Sequence, residues 1–498
     1  MNKIFKYNEK GITLFSVIIT IILMIILSGI TIKSLQKKDI LNVPNIVTEY
    51  SDNIISDTDE GVNTINNGIW TNVINQKGIE KPIGENGIRE WEINRIIVEE
   101  QMKVNIAWSI NDDSSDAGNT IAKKAVLDLI QTKLAIIFSS EKYNTINLLK
   151  GAKSILGTAP IIGCTSQKGI ITPDGLITSK NGFAGIMAIG DNDTAVGTAI
   201  LDKGISARET GKAVARIARN KINPNCSPSY FMMISTPGDE EEYLKGIQDE
   251  IGDVPCFGGV ASDDDLSGNW RIYTEDGISS NGVCVAFFYT NKEIKNIIDG
   301  RYHETIHSGI ITKKSGDYEI DEINGMQALK VYSEWTDKKT RNLKGEKITK
   351  ETTLCPIGVK SHDGEFYVIN ELLNGNTDYS INVSNKISTN IAVVQMQTSD
   401  YEIAESPSLI VRELNKIATR NPVAYLFMNS ANRINEINKN YNKEYSDEEN
   451  IGILIKKLKK ETNNKPFMMA MSMGEIGRKN HSSNLCGNLM ISATVFAE

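Results

Sequence analysis

"TIAKKAVLDLIQTKLAIIFSS", residues 120–140, changes its hydrophobic period partway along. Over 120–133 the apolar residues Ile121, Ala122, Ala125, Val126, Leu127 and Leu129 share one broad helical face, behind a Gly-Asn pair that suits a helix start. The LAIIFSS that follows is a short, continuously apolar run, which reads as a buried strand. The alternation continues downstream. "NTINLLKGAKSILG" (144–157), "SARETGKAVARIARNKI" (206–222, opened by a Ser206 cap) and "DEEEYLKGIQDEIG" (239–252) read as helices. "APIIGCTS" (159–166) and "SYFMMIST" (229–236) read as strands. Such a sequence predicts an α/β layered fold of mixed sheets with flanking helices. Asp239, Glu240, Glu241 and Glu242 resemble a cation site, but acidic residues in a first helical turn are favoured by the dipole alone.

The chain has 498 residues, enough for two or three domains, and its 40% hydrophobic and 23% charged content is ordinary for a folded protein. A net charge of -8 without a basic face argues against nucleic acid as a partner. The six cysteines are far apart, with no CxxC pair, and Cys256 and Cys284 sit in apolar runs, as small buried hydrophobes do.

From Gly11 to Ile32 no residue is charged. That run suits a membrane helix of about 20 residues, and it exceeds the apolar core of about 7–15 residues in a cleaved secretory signal. Lys3, Lys6 and Lys10 precede it and Lys33, Lys37 and Lys38 follow it, so flanking charge gives no orientation. Residues 33–118 read as a connector with turn signals such as "NDDSSDAGN", while Trp70, Trp91 and Trp108 imply some packed structure, such as short strands.

"EKGITLFSVIITIILMIILSGITI" resembles the start of type IV prepilins and pseudopilins. The resemblance implies a basic leader over 1–11, a transmembrane helix over 12–32, and cutting between Gly11 and Ile12 by a prepilin peptidase. It would leave a single-pass protein in the cell membrane with its body outside. Where that family often has Glu at the fifth mature position, this chain has Ser16.

Three strand ends run into Gly-rich turns: "IIGCTSQKG" (161–169), "CFGGVASDDD" (256–265) and "MSMGEIG" (471–477). Glycine lets backbone N–H groups approach a ligand, and strand ends are the usual site in such sheets. In this order, with "EINGMQALKVYSEW" (322–335) and "PVAYLFMNSANRI" (422–434), they resemble the FIST sensory domains, an N-terminal part over 119–310 and a C-terminal part over 311–498. The family's usual Cys before the Arg of the last segment is replaced by Ser430, with Arg433 retained. The resemblance implies a sensor of a small molecule, amino acids foremost, passing its signal to a partner, with no enzymatic activity and no cofactor. The expected ligand contacts are Cys164, Thr165, Ser166, Gly258, Gly259, Asp263, Arg433 and Glu475. Glycine-turn amides and Arg433 would hold a carboxylate, and Asp263 or Glu475 an amine.

Two other readings stay open: a minor pilus or pseudopilus component with an adhesive or structural head, and a hydrolase. The second rests on His303-Glu304-Thr305-Ile306-His307, which spells the zinc-peptidase H-E-x-x-H. That chemistry needs a helix. Gly300 and Gly309 flank a stretch rich in Tyr, Ile and Thr, which reads as a strand or an exposed connector. On a strand, residues four apart lie about 13 Å apart. The remaining histidines, His362 and His481, supply no obvious third ligand, so no metal is expected.

Overall fold

The computed structural model describes residues 79–80, 91–92, 101–360, 364, 367–440, 446–478 and 483–498. The expected transmembrane run, with Gly11 and Ile12, lies outside the described residues, as do His362 and His481. Among the described residues no helix is long and apolar enough to cross a membrane. The chain divides into two units, 1–100 and 101–498. In the first, strands Ile79–Glu80 and Trp91–Glu92 pair antiparallel.

The second unit is built from one motif used three times. The first sheet runs, in spatial order, Lys103–Ser109, Ala184–Gly190, Thr132–Ser139, Ile161–Thr165, Ile272–Thr274 and Ile278–Ser279. The second runs Ala195–Asp202, Gly282–Tyr289, Tyr230–Ser235, Cys256–Val260, Glu475–Gly477 and Leu485–Gly487. The third runs Glu293–Asp299, Ile491–Ala497, Pro422–Ser430, Phe467–Ser472, Ile170–Thr172 and Gly175–Ile177. In each, the two middle strands are parallel and every other pairing is antiparallel.

The last two strands of every sheet are a hairpin supplied by a different repeat. Ile171 of the first repeat pairs with Met469 in the third sheet, Tyr273 of the second with Gly163 in the first, and Glu475 of the third with Gly259 in the second. The exchange closes a ring. Where the strands leave their sheets, three backbone bonds repeat the cycle: Gln167 N–H to Met471 O at 3.4 Å, Ser262 N–H to Thr165 O at 3.2 Å, and Met473 N–H to Val260 O at 3.2 Å.

Closure explains why the middle strands are apolar on both faces. Leu134, Ile136 and Phe138 point into a core shared by all three sheets, with Met232, Ile234, Leu426 and Met428, while Ala135 and Ile137 face the helices of their own repeat. The period is two, yet neither face meets water. Phe257, Phe288 and Phe496 meet in the shared core with ring centroids 5.8, 5.9 and 6.5 Å apart.

Outside each sheet lie its helices. The first runs Ser114–Ala125 rather than 120–133, because the Asp113 side chain accepts the Asp116 N–H and caps it. "NDDSSDAGN" is therefore largely a helix start and not a loop. Asp128, at φ 58°, turns the chain before the next strand. The connector expected up to residue 118 thus contains an edge strand and the first helical turns. In the first two repeats the helix pair meets at a glycine. A Cβ on Gly151 would lie 2.0 Å from Ser115 O, and one on Gly246 would lie 1.9 Å from Arg208 O.

The third repeat differs by an insertion. Between its edge strand Glu293–Asp299 and its helix Asp400–Ile417, residues 300–399 fold into a nine-stranded sheet. That sheet has its own core of Leu329, Tyr332, Leu343, Leu372 and Ile381 with their neighbours. The join expected at 310/311 falls inside its strand His303–Gly316. Mixed sheets with flanking helices are as the sequence predicts; a three-repeat ring with an inserted sheet replaces the expected two parts.

The glycine contact gives a direct test of the packing. Gly246→Ala should lower stability by about 1–3 kcal/mol in urea denaturation, the cost of overpacking. Gly452→Ala, exposed in the helix Asp447–Glu461 with nothing within 4 Å of the added carbon, should raise stability by about 0.5–1 kcal/mol. Equal effects would contradict the packing described.

Candidate functional site

The expected contacts divide between the ring and one seam. Cys164 points into the shared core beside Phe138 and Cys284, and burial holds its thiol well above the usual range, so it is core rather than a ligand contact. Thr165 accepts the Arg271 N–H at 3.0 Å. The Ser166 hydroxyl donates to Gly169 O at 2.8 Å and accepts the Met471 N–H at 2.9 Å, and the Ser262 hydroxyl donates to Met471 O at 2.7 Å. These groups tie the strand exits together. Gly258 and Gly259 are bare for packing: added carbons would fall 1.9 Å from Met233 O and 2.7 Å from Met428 Cε. Asp263 is buried, with Oδ2 accepting the Gly268 and Asn269 N–H groups at 2.9 and 2.7 Å while Oδ1 has no partner.

Arg433 and Glu475 lie where the inserted sheet meets the third repeat. The strand Pro422–Ser430 ends and the helix Ala431–Asn440 begins, which turns Arg433 inward to zero exposure. Its Nη1 donates to Gly300 O at 2.6 Å and Leu489 O at 3.1 Å, and its Nη2 to Ser406 Oγ at 2.7 Å. The guanidinium carbon sits 5.7 Å from the Tyr302 ring centroid, and Nε is buried without a hydrogen-bond partner. Leu489, which supplies one acceptor, and Arg301, next to the other, hold φ of 54°. Left-handed non-glycine backbone is costly and gathers where a site imposes it.

Two carboxyls share this environment. Glu475 accepts the Ser472 hydroxyl at 2.6 Å and the Met490 N–H at 2.9 Å. Burial pushes it up to about 8; the Ser472 and Met490 bonds and the Arg433 charge pull it down, and Glu371 adds to the rise. Glu371 accepts the Asn432 amide at 2.6 Å, and burial lifts it to about 7 against the pull of Asn432 and Lys347. A buried cation with an unused donor thus lies beside two carboxyls that burial holds well above the usual carboxylate range. Sequence reading named Arg433 and Glu475, which the structure brings together, and did not name Tyr302, Glu371, Asn432 and Ser406 beside them. Asn432 is adjacent in "SANR", and Glu371 sits in "VINELL" with no local signal.

His303-Glu304-Thr305-Ile306-His307 opens the strand His303–Gly316, as the composition suggested. His303 Nε2 lies 2.8 Å from Glu402, and Glu304 meets the Tyr367 hydroxyl. Among the described residues no three His, Cys, Asp or Glu gather as a metal site. Cavities among the described residues lie elsewhere. One of about 10 Å³, room for a single water, lies among Gly238, Asp239, Glu240, Tyr318, Lys386 and Cys486. An open one of about 430 Å³ lies on the inserted sheet among Glu319, Glu346, Lys347, Asn374, Asn376 and Asp378. The Arg433 cluster itself is sealed by the inserted sheet.

Replacing Arg433 therefore strands acceptors on both sides of the seam. Arg433→Met should cost about 2–4 kcal/mol of stability, from unsatisfied buried carbonyls. Denaturation of the variant unchanged from wild type would show that the guanidinium holds nothing together.

No curated protein matches the chain. Among solved structures, cyanuric acid hydrolase from A. caulinodans aligns over 80% of this chain and 100% of its own at 7% identity and a TM-score of 0.31, too low to bear on fold or function. The FIST N domain family matches residues 133–326, from the middle strand of the first repeat into the inserted sheet. That stretch, less than half of the chain, is thus similar to a FIST N domain, of a family of sensory domains regarded as binding small ligands.

Proposed function

We propose that this chain is a membrane-anchored sensor that binds an amino acid or a similar metabolite at the seam between the third repeat and the inserted sheet, and passes the signal to a partner protein. The observation that carries the reading is Arg433, whose Nε is buried without a partner while its other donors are fixed on Gly300, Leu489 and Ser406. A ligand carboxylate at Nε would meet a donor already desolvated and oriented, so little ordering is left to offset binding. Glu475 and Glu371 then serve the ligand's other end. Entry requires the inserted sheet to lift, and lifting is the conformational signal. The protein on this reading is a binding module rather than an enzyme.

A ligand screen of the full chain by thermal shift against amino acids and small carboxylates, followed by calorimetry, tests the reading. Arg433→Lys keeps the charge but loses the planar fork, and should weaken the ligand found by roughly 10- to 100-fold. Unchanged affinity at equal folded fraction would move the site elsewhere.

The anchor is part of the same proposal and rests on the uncharged Gly11–Ile32 run behind a basic leader. Mass spectrometry of the membrane-extracted protein should find a mature end at Ile12, as a prepilin peptidase would leave it. An intact Met1 end in cells with an active peptidase would remove the prepilin part and, with it, any pilus-type assembly.

A further inference from the structure

The inserted sheet rests on the three-repeat body along a seam whose carboxyls include Glu475, Glu371 and Glu240. Glu475 lies on the body side and Glu371 on the inserted side. Glu240 opens the helix Glu240–Ile251, where the Tyr318 hydroxyl donates to Gly238 O and Lys386 of the inserted sheet reaches Asp239 at 3.2 Å. The hairpin Glu475–Gly487 joins the two ends, and the Cys486 thiol feels the charge of Glu240, Glu241 and Glu475 together.

The apolar part of the seam is a small patch of Ile298, Ile369, Met396, Leu489 and Met490 with partly buried neighbours. Direct bonds across it include Asn488 N–H to Ile369 O at 3.2 Å, Asn432 to Glu371, and Arg433 to Gly300 O. The sheet keeps its own separate core, and its two linkers lie side by side, with Thr398 Oγ1 donating to Arg301 O at 3.0 Å. The pair Arg301–Glu413, with Arg301 half-buried, and the exposed pair His303–Glu402 flank them. A polar, modest interface between separately cored bodies permits relative motion.

We infer that protons seat the inserted sheet: it closes on the body when the seam carboxyls are protonated and lifts when they ionise, so that the chain senses pH at this seam. The inference goes beyond the ligand reading and needs no ligand.

The sign follows from the environment of each group. Glu475 faces Ser472, the Met490 N–H, Arg433 and Glu371; Glu371 faces Asn432 and Lys347. Glu240 faces its own N–H, the Gly238 N–H, Asp239, Glu241, Tyr243 and Tyr318, with Asp239 held low by Lys203 and Lys386. Burial outweighs the cations and raises Glu475 from 4.5 to about 8 and Glu371 and Glu240 from 4.5 to about 7. Glu240 keeps partial exposure and weighs least. A raised carboxyl favours the closed state while protonated. The closed state therefore loses stability as pH climbs from the ordinary carboxyl value towards the closed-state values, and the loss is complete above them.

Hydrogen exchange of the full chain without ligand, from about pH 5 to about pH 8.5 with rates corrected for intrinsic chemistry, tests this. The amide of Asn488, whose bond to Ile369 O crosses the seam, should lose protection by at least roughly tenfold, while Thr132–Ser139 in the body stays protected. The double variant Glu371→Gln, Glu475→Gln should flatten the profile. A flat corrected profile in wild type would overturn the inference, as would a loss shared equally by the body strands or one retained in the double variant. Should that variant fail to fold, the wild-type profile alone decides. A failed ligand screen would leave this result standing, and a flat profile would leave the ligand reading standing.

Discussion

Everything in the body depends on the exchange of hairpins between repeats. No sheet is complete alone: the hairpin Ile170–Ile177 finishes the third, Ile272–Ser279 the first and Glu475–Gly487 the second. An unpaired strand edge leaves backbone donors and acceptors unmet, so each repeat needs its neighbour to satisfy its parallel strands. The cycle of strand-exit bonds through Thr165, Val260 and Met471 then fixes the three turns against each other. This explains why Ser166, Ser262 and the Gly258-Gly259 pair are so constrained. They close a ring, and the ring leaves them no freedom to reshape around a ligand.

The third repeat escapes that constraint, because residues 300–399 interrupt it between its edge strand and first helix. The interruption brings a second sheet over the strand ends of one repeat only. Arg433, Glu475 and Glu371 are buried as a consequence, and a cation and two carboxyls away from water favour whatever satisfies them. Left-handed backbone at Arg301 and Leu489 lies on the same seam. On the proposed reading, a ring bearing one separately cored sheet over a buried polar cluster would convert occupancy into motion.

Local structure was legible wherever periodicity and caps speak directly. The helices Thr145–Leu156, Ala207–Asn220 and Glu240–Ile251 and the strands between them follow the sequence pattern, and Ser206 caps as expected by accepting the Glu209 N–H. The first helix was misplaced because Gly118 looked like a start, whereas it lies mid-helix where an added carbon would strike Leu148 O. The threefold design was hidden because its signature is pairing between distant segments, and the insertion spoils any even spacing. Arg433 and Glu475 were named through resemblance, and the structure places them in one buried cluster. Tyr302 and Glu371 come from the insertion, and nothing in their neighbourhoods marks them. Cys164 was expected at a ligand through the family resemblance of Gly163-Cys164-Thr165-Ser166; alternation alone sends its side chain inward with Ile162.

The claim beneath all of this is that a closed ring and a separately held sheet share one chain. Native-state hydrogen exchange against denaturant concentration tests it most directly, since it resolves the opening free energy of each segment. The middle strands Thr132–Ser139, Tyr230–Ser235 and Pro422–Ser430 should open together at the global free energy, with the inserted strands opening in a separate, lower-energy step. Middle strands that open one repeat at a time, or an inserted sheet that opens only with the ring, would contradict it.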